Sequence, residues 1–119
     1  MAKFLILIYG DEQRWAEMTA PELEKLDQGH VDLRAAAHTL GATVIASHEL
    51  EPKTAVTLRG EPGRRLSPVD GPFAETKEQV GGFYLIEAAD LDQVIALAGR
   101  LYEVYAGHSA VEIRPIKTS

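Results

Sequence analysis

The alternation of apolar and polar positions predicts four strands, two of which are apolar on both faces. Residues 3–9 carry two apolar sets, with Phe4, Ile6 and Ile8 on one face and Leu5, Leu7 and Tyr9 on the other. Residues 83–88 repeat this character, which is typical of strands that are covered on both sides. Residues 43–47 are rich in β-branched side chains, and residues 111–114 precede Pro115, which cannot donate to a ladder.

A long amphipathic segment predicts a helix that ends at Gly41. Thr19 and Glu22 form a T-x-x-E capping box, and Gly41 can adopt the left-handed conformation that ends a helix. Apolar residues recur with helical spacing at Leu23, Leu26, Leu33, Ala37 and Leu40. His30 occupies the position in this stripe at which the helical periodicity calls for an apolar residue, so it is the first candidate for a catalytic residue.

The remaining segments predict a second helix and an inserted hairpin. Asp90 caps a segment whose apolar stripe continues to Tyr105. Residues 54–59 and 64–67 predict two short strands, and the Gly-Glu-Pro-Gly sequence at 60–63 predicts the turn between them.

The order of these elements predicts an α+β, ferredoxin-like fold, βαββαβ with an inserted β-hairpin, in a single domain over residues 1–119. Two helices cover only one face of such a sheet, yet residues 4–9 and 83–86 are apolar on both faces. A second copy of the chain is the simplest cover for the other face. We therefore expect a homodimer that packs sheet against sheet, a dimeric α/β-barrel-like assembly.

Composition excludes several classes of protein. The 12 basic and 18 acidic residues give a net charge of −6, which argues against nucleic acid as a partner. The chain has no cysteine, so thiolate metal sites and cysteine nucleophiles are excluded. The longest apolar run, residues 4–9, is too short to span a membrane. We expect a cytoplasmic protein without a metal or another cofactor.

His30 and Asp70 are the residues that could carry a reaction. An imidazole titrates near neutral pH, so His30 could act as a general base or acid. The alternative is a half-buried histidine that only packs and makes one hydrogen bond. Asp70 begins the sequence Asp-Gly-Pro, which is also ordinary turn chemistry. Arg64, beside the predicted hairpin turn, could bind a small anion.

The chain resembles the YCII-related family, and more narrowly the branch named for its DGPF motif. The resemblance lies in DGPFAETKE at 70–78, GGFYLIEA at 81–88, VEIRP at 111–115 and FLILIYGDE at 4–12. It implies a ferredoxin-like, commonly dimeric domain, and a pocket that holds a histidine and an aspartate. By position these are His30 and Asp70. Relatives in the wider family carry an Asp-Pro pair just after the second helix, where this chain has Leu101-Tyr102.

The resemblance leaves two functions open. The first is a cofactor-independent enzyme, similar to a lyase, a dehydrochlorinase or an isomerase. In it Asp70 would orient His30 as the base, and the substrate would contact Phe73, Glu75, Lys77 and Arg64. The alternative is a non-catalytic ligand-binding or regulatory module, for instance one associated with an extracytoplasmic-function sigma factor. The residues themselves also allow a third hypothesis, an oligomeric scaffold in which His30 only packs.

Overall fold

The protein folds around one antiparallel sheet that carries its helices on a single face. The structure, a computed structural model, describes residues 1–71 and 78–118. The strands are β1 (Ala2–Asp11), β2 (Thr43–Glu49), β3 (Val56–Arg59), β4 (Ser67–Asp70), β5 (Glu78–Ala88) and β6 (Ser109–Pro115). The helices are α1 (Glu12–Ala16), α2 (Ala20–Leu40) and α3 (Leu91–Ala98).

The main sheet has the order β2-β5-β1-β6, and every neighbouring pair in it is antiparallel. The two central strands, β1 and β5, are those that the sequence predicted to be apolar on both faces. The mixed α+β architecture is confirmed, and the strand order is compatible with the predicted ferredoxin-like fold. Strands β3 and β4 form a separate two-stranded sheet, which is the inserted hairpin that the sequence predicted.

The core lies between this sheet and the two longer helices. Alternate residues of β1 and β5 point into it, and Leu33 of α2 and Leu97 of α3 are fully buried against them. The largest fully buried side chains are Ile6, Leu33, Ile86, Leu97, Leu101 and Val94. The removal of these side chains from water supplies the main favourable free energy of folding.

The other face of the sheet is only half-buried. Its apolar members, which we call the open face, are Leu5, Leu7, Tyr9, Phe83 and Leu85. They are neighbours across the β1–β5 register, in which Leu5 pairs with Leu85 and Leu7 with Phe83. The two longer helices lie on the opposite face and do not cover these side chains.

The helix ends follow the predicted caps, with one correction. The Thr19 hydroxyl accepts a hydrogen bond from the Glu22 backbone at 3.3 Å, and Gly41 has φ +74°. The second long helix, α3, ends at Ala98 instead of continuing to Tyr105. Gly99 has a low helix propensity, and the chain becomes extended at Leu101 before a 3₁₀ turn over Tyr102–Val104. Leu101 is still part of the buried core, but it lies directly before this turn and not in α3.

The hairpin and the strand after it also differ from the prediction. The return strand is Ser67–Asp70 instead of 64–67, because the loop at the tip is wider than a four-residue turn. Asp70 therefore ends a strand. Gly71 has φ +109°, the conformation for which glycine was expected. Strand β5 begins at Glu78 instead of Phe83, since its first residues continue the ladder with β1. Among the described residues, no helix is both long and apolar enough to cross a membrane.

Candidate active site

His30 lies at the centre of a cluster of polar side chains between α2 and the sheet. Its Nδ1 is 2.5 Å from the Tyr84 hydroxyl, and its Nε2 is 2.9 Å from Oε2 of Glu103. The side chain of His30 is 27% exposed, whereas that of Glu103 is 6% exposed. The imidazole is therefore the part of the cluster that a molecule from solution can reach.

The partners of His30 determine its tautomer. A carboxylate can only accept, so the Nε2–H of His30 donates to Glu103. Nδ1 then carries the lone pair and accepts a hydrogen bond from the Tyr84 hydroxyl. The phenol, the imidazole and the carboxylate are thus linked in a row. Catalytic triads have the same order, in which a nucleophile or acid is followed by a base and then by the group that orients the base.

Tyr84 is held from several sides. Its ring stacks on that of His30, with 5.7 Å between the centroids and 15° between the planes. Burial raises the pKa of Tyr84 above its usual value of 10.0, and the charge of Glu103 acts in the same direction. The Arg34 guanidinium and a hydrogen bond from Ser47 lower this pKa by smaller amounts. The phenol is thus protonated at neutral pH and can donate to His30.

Glu103 reaches His30 because a glycine lets the backbones meet. A Cβ on Gly29 would lie 2.8 Å from the Arg100 carbonyl oxygen and 2.9 Å from the Tyr102 nitrogen. Such contacts are too short for any other residue, so Gly29 allows α2 to touch the segment that follows α3. Glu103 as a whole residue is 4% exposed, and its second oxygen, Oε1, is buried and has no hydrogen-bond partner within residues 1–71 and 78–118.

A second polar network supports the same region. The Trp15 indole donates to the Ser109 hydroxyl at 2.8 Å, and that hydroxyl lies 2.8 Å from Nδ1 of the buried His108. Oε2 of Glu22 lies 3.6 Å from Nε2 of His108 and accepts from the Tyr102 hydroxyl at 3.3 Å. Tyr102 and Glu103 are adjacent, so these contacts anchor to α2 the turn that presents Glu103.

The described residues that the sequence proposed for the site, His30, Asp70 and Arg64, lie on different elements of the fold. The hydrogen bonds of His30 go to Tyr84 and Glu103, and Asp70 is not among these partners. Asp70 ends β4, where it pairs in register with Val56. Arg64 lies in the loop of the hairpin and forms an exposed ion pair with Glu61 at 3.1 Å.

Three residues that were expected to bind the substrate, Phe73, Glu75 and Lys77, lie outside the described residues. Their contribution stays a prediction, as does that of Asp70 and Arg64. Within the described ranges, no group of three or more histidine and acidic side chains is arranged to hold a metal ion.

Sequence reasoning missed both partners of His30. Glu103 was hidden because it falls inside an apolar stripe assigned to the second helix, although an acidic residue in such a stripe is itself a signal. It lies directly after the Leu101-Tyr102 position, where the wider family was expected to carry an acidic residue. Tyr84 was counted as an apolar member of its strand, and nothing local reveals where its hydroxyl points.

Comparison with known proteins places this chain in a family. The model of the YCII-related domain matches residues 2–117. An uncharacterized protein of Rhizobium meliloti (strain 1021) is 31% identical over 113 residues, which cover 95% of this chain and 90% of that protein. The narrower assignment to the DGPF branch stays a prediction. The match over nearly the whole length confirms the wider resemblance, and the chain belongs to the YCII-related family.

Proposed function

We propose that this protein is a small-molecule enzyme that transfers protons with its own side chains, in an elimination or an isomerisation. The observation that carries the proposal is the position of His30, between the hydroxyl of Tyr84 at 2.5 Å and the carboxylate of Glu103 at 2.9 Å. Among side chains, histidine is best suited to accept and return a proton near neutral pH. In this proposal Glu103 takes the orienting role that the sequence suggested for Asp70.

The cluster supports a simple sequence of events. A substrate that reaches the exposed edge of His30 displaces the Tyr84 hydroxyl from Nδ1 and gives its proton to that nitrogen. The Glu103 carboxylate stabilises the resulting imidazolium. The Tyr84 hydroxyl, now free, donates to the substrate oxygen on which negative charge develops. The proton on Nδ1 then returns to a second position of the substrate or to its leaving group.

The alternative, that His30 only packs, fits the cluster less well. A buried carboxylate loses much of its hydration, and in the described part of the chain Oε1 of Glu103 has no hydrogen-bond partner that would offset this loss. Apolar side chains at positions 30 and 103 would complete the stripe without this penalty. Polar groups that destabilise a core are commonly retained for function.

The test is turnover of a panel of small hydroxylated or carbonyl-activated molecules. We expect His30→Gln and Tyr84→Phe to abolish turnover of any responsive compound. His38→Gln is the matched control, because His38 is an exposed histidine of the same helix. If His30→Gln retains turnover, the mechanism is wrong. If wild type turns over no compound but binds one at His30, the protein is the ligand-binding module named as the alternative.

We also propose that two copies of the chain pack through the open face. In each copy this face presents Leu5, Leu7, Tyr9, Phe83 and Leu85, and Leu7 lies at its centre between Phe83 and Glu112. Light scattering after size exclusion should give twice the chain mass for wild type and the chain mass for Leu7→Asp. Val31→Asp, at a 59% exposed position of α2, should remain dimeric. A monomeric wild type would refute the proposal.

A further inference from the structure

Arg34 is a cationic side chain on the same flank of α2 as His30. Arg34 follows His30 by four positions, so their side chains lie about one turn apart on the same side of the helix. The guanidinium carbon of Arg34 is 5.6 Å from the centroid of the Tyr84 ring. The His30 ring is 5.7 Å from that same centroid. The guanidinium and the imidazole therefore both lie against the Tyr84 ring.

The charge of Arg34 is not neutralised by the part of the protein that the structure describes. In residues 1–71 and 78–118 it has no carboxylate partner, although acidic residues outnumber basic ones by 18 to 12. Two other arginines do form ion pairs with carboxylates, Arg64 with Glu61 and Arg114 with Glu112. Arg34 is exposed, so a guanidinium held over an aromatic face is available to an anion from solution.

We infer that Arg34 binds the ligand of this site and that the ligand is a small carboxylic acid. The inference deepens the proposed function and rests on it for the identity of the site. A guanidinium presents two parallel N–H donors that match the two oxygens of a carboxylate, and one guanidinium balances its single charge. A carboxylate on Arg34 directs the rest of a small molecule towards the adjacent His30, the base of the proposed reaction.

The experiment measures binding and needs no turnover. Acetate, pyruvate and benzoate are each titrated into the full chain beside the matching uncharged primary amide, and the Cε1–H resonance of His30 is followed by NMR. We expect at least one carboxylate to shift this resonance and to bind more tightly than its amide. Arg34→Gln should weaken that binding roughly 10- to 100-fold, the range for a lost charge-assisted hydrogen-bonded pair.

Arg100→Gln is the matched control. Arg100 is also exposed, but it lines a cleft with Asp32 and Ala36, on the other flank of α2. We expect this variant to bind the carboxylate like wild type. Equal binding of acid and amide, equal effects of the two arginine variants, or no shift with any of the three acids would overturn the inference. Carboxylate binding to His30→Gln, which lacks the reporter resonance, is measured by isothermal titration calorimetry. Loss of turnover in this variant with carboxylate binding retained supports both proposals, whereas Arg34-dependent binding without turnover supports this one alone.

Discussion

Nε2 of His30 lies 2.9 Å from Oε2 of Glu103, although 73 residues separate them in the chain. The contact joins the middle of α2 to the 3₁₀ turn that follows α3. It exists because α3 stops at Ala98 and because Gly29 leaves room for the backbone of Tyr102. The chemistry of the site thus depends on a helix end and on a missing side chain.

The charge of Glu103 should matter more than its shape. We expect Glu103→Gln to lower turnover of a responsive substrate by about 100-fold or more, because an amide can still accept from Nε2–H but cannot stabilise an imidazolium. Steady-state kinetics would measure this. Glu24→Gln is the control, since Glu24 is an exposed glutamate of α2. An equal effect of the two substitutions would contradict the assigned role.

The energetic coupling between His30 and Glu103 can be measured without a substrate. We expect each single leucine substitution to destabilise the fold by about 1–3 kcal/mol, because it leaves the buried partner without its hydrogen bond. The double variant, His30→Leu with Glu103→Leu, should be more stable than the sum of the singles predicts, since both polar groups are then gone. Urea denaturation of the four proteins provides the cycle. Strict additivity would show that the two side chains do not interact in solution.

Gly29→Ala should destabilise the protein, contrary to what helix propensity alone predicts. Alanine in the interior of a helix is favoured over glycine by about 1 kcal/mol. Here the added Cβ would lie 2.8 Å from the Arg100 carbonyl oxygen, so the turn that carries Glu103 must move. We expect a net loss of about 1–3 kcal/mol in urea denaturation, and a changed His30 resonance by NMR. A variant more stable than wild type would disprove the close backbone contact.

Tyr84 should contribute to the loss of stability in alkali. Its pKa is raised in the folded protein, mainly by burial, so the folded state binds its proton more tightly than the unfolded state does. This contribution is complete below pH 10.0 and declines as the pH rises above that value. The free energy of unfolding, measured by urea denaturation, should therefore fall less steeply above pH 10 in Tyr84→Phe than in wild type. The same slope in both proteins would contradict a buried, protonated phenol.

Local chemistry was sufficient to predict most of the secondary structure. Alternating apolar residues identified the two central strands, a capping box and a terminal glycine delimited α2, and a Gly-Pro-rich segment marked the hairpin. The five-residue α1 was missed, and the hairpin strands were displaced along the chain. Such boundaries depend on ladder register and on loop width, which neighbouring residues in the sequence do not specify.

His30 could be selected from the sequence because it interrupts a helical stripe, and that is a local signal. Its partners could not, because Tyr84 is 54 and Glu103 is 73 residues away. Which hydroxyl and which carboxylate meet an imidazole is determined by strand order, by where a helix ends and by how closely two backbones approach. These are properties of the packed chain. The sequence alone therefore determined most of the secondary structure and the candidate base, His30, whereas only the tertiary structure decided which side chains are hydrogen-bonded to it.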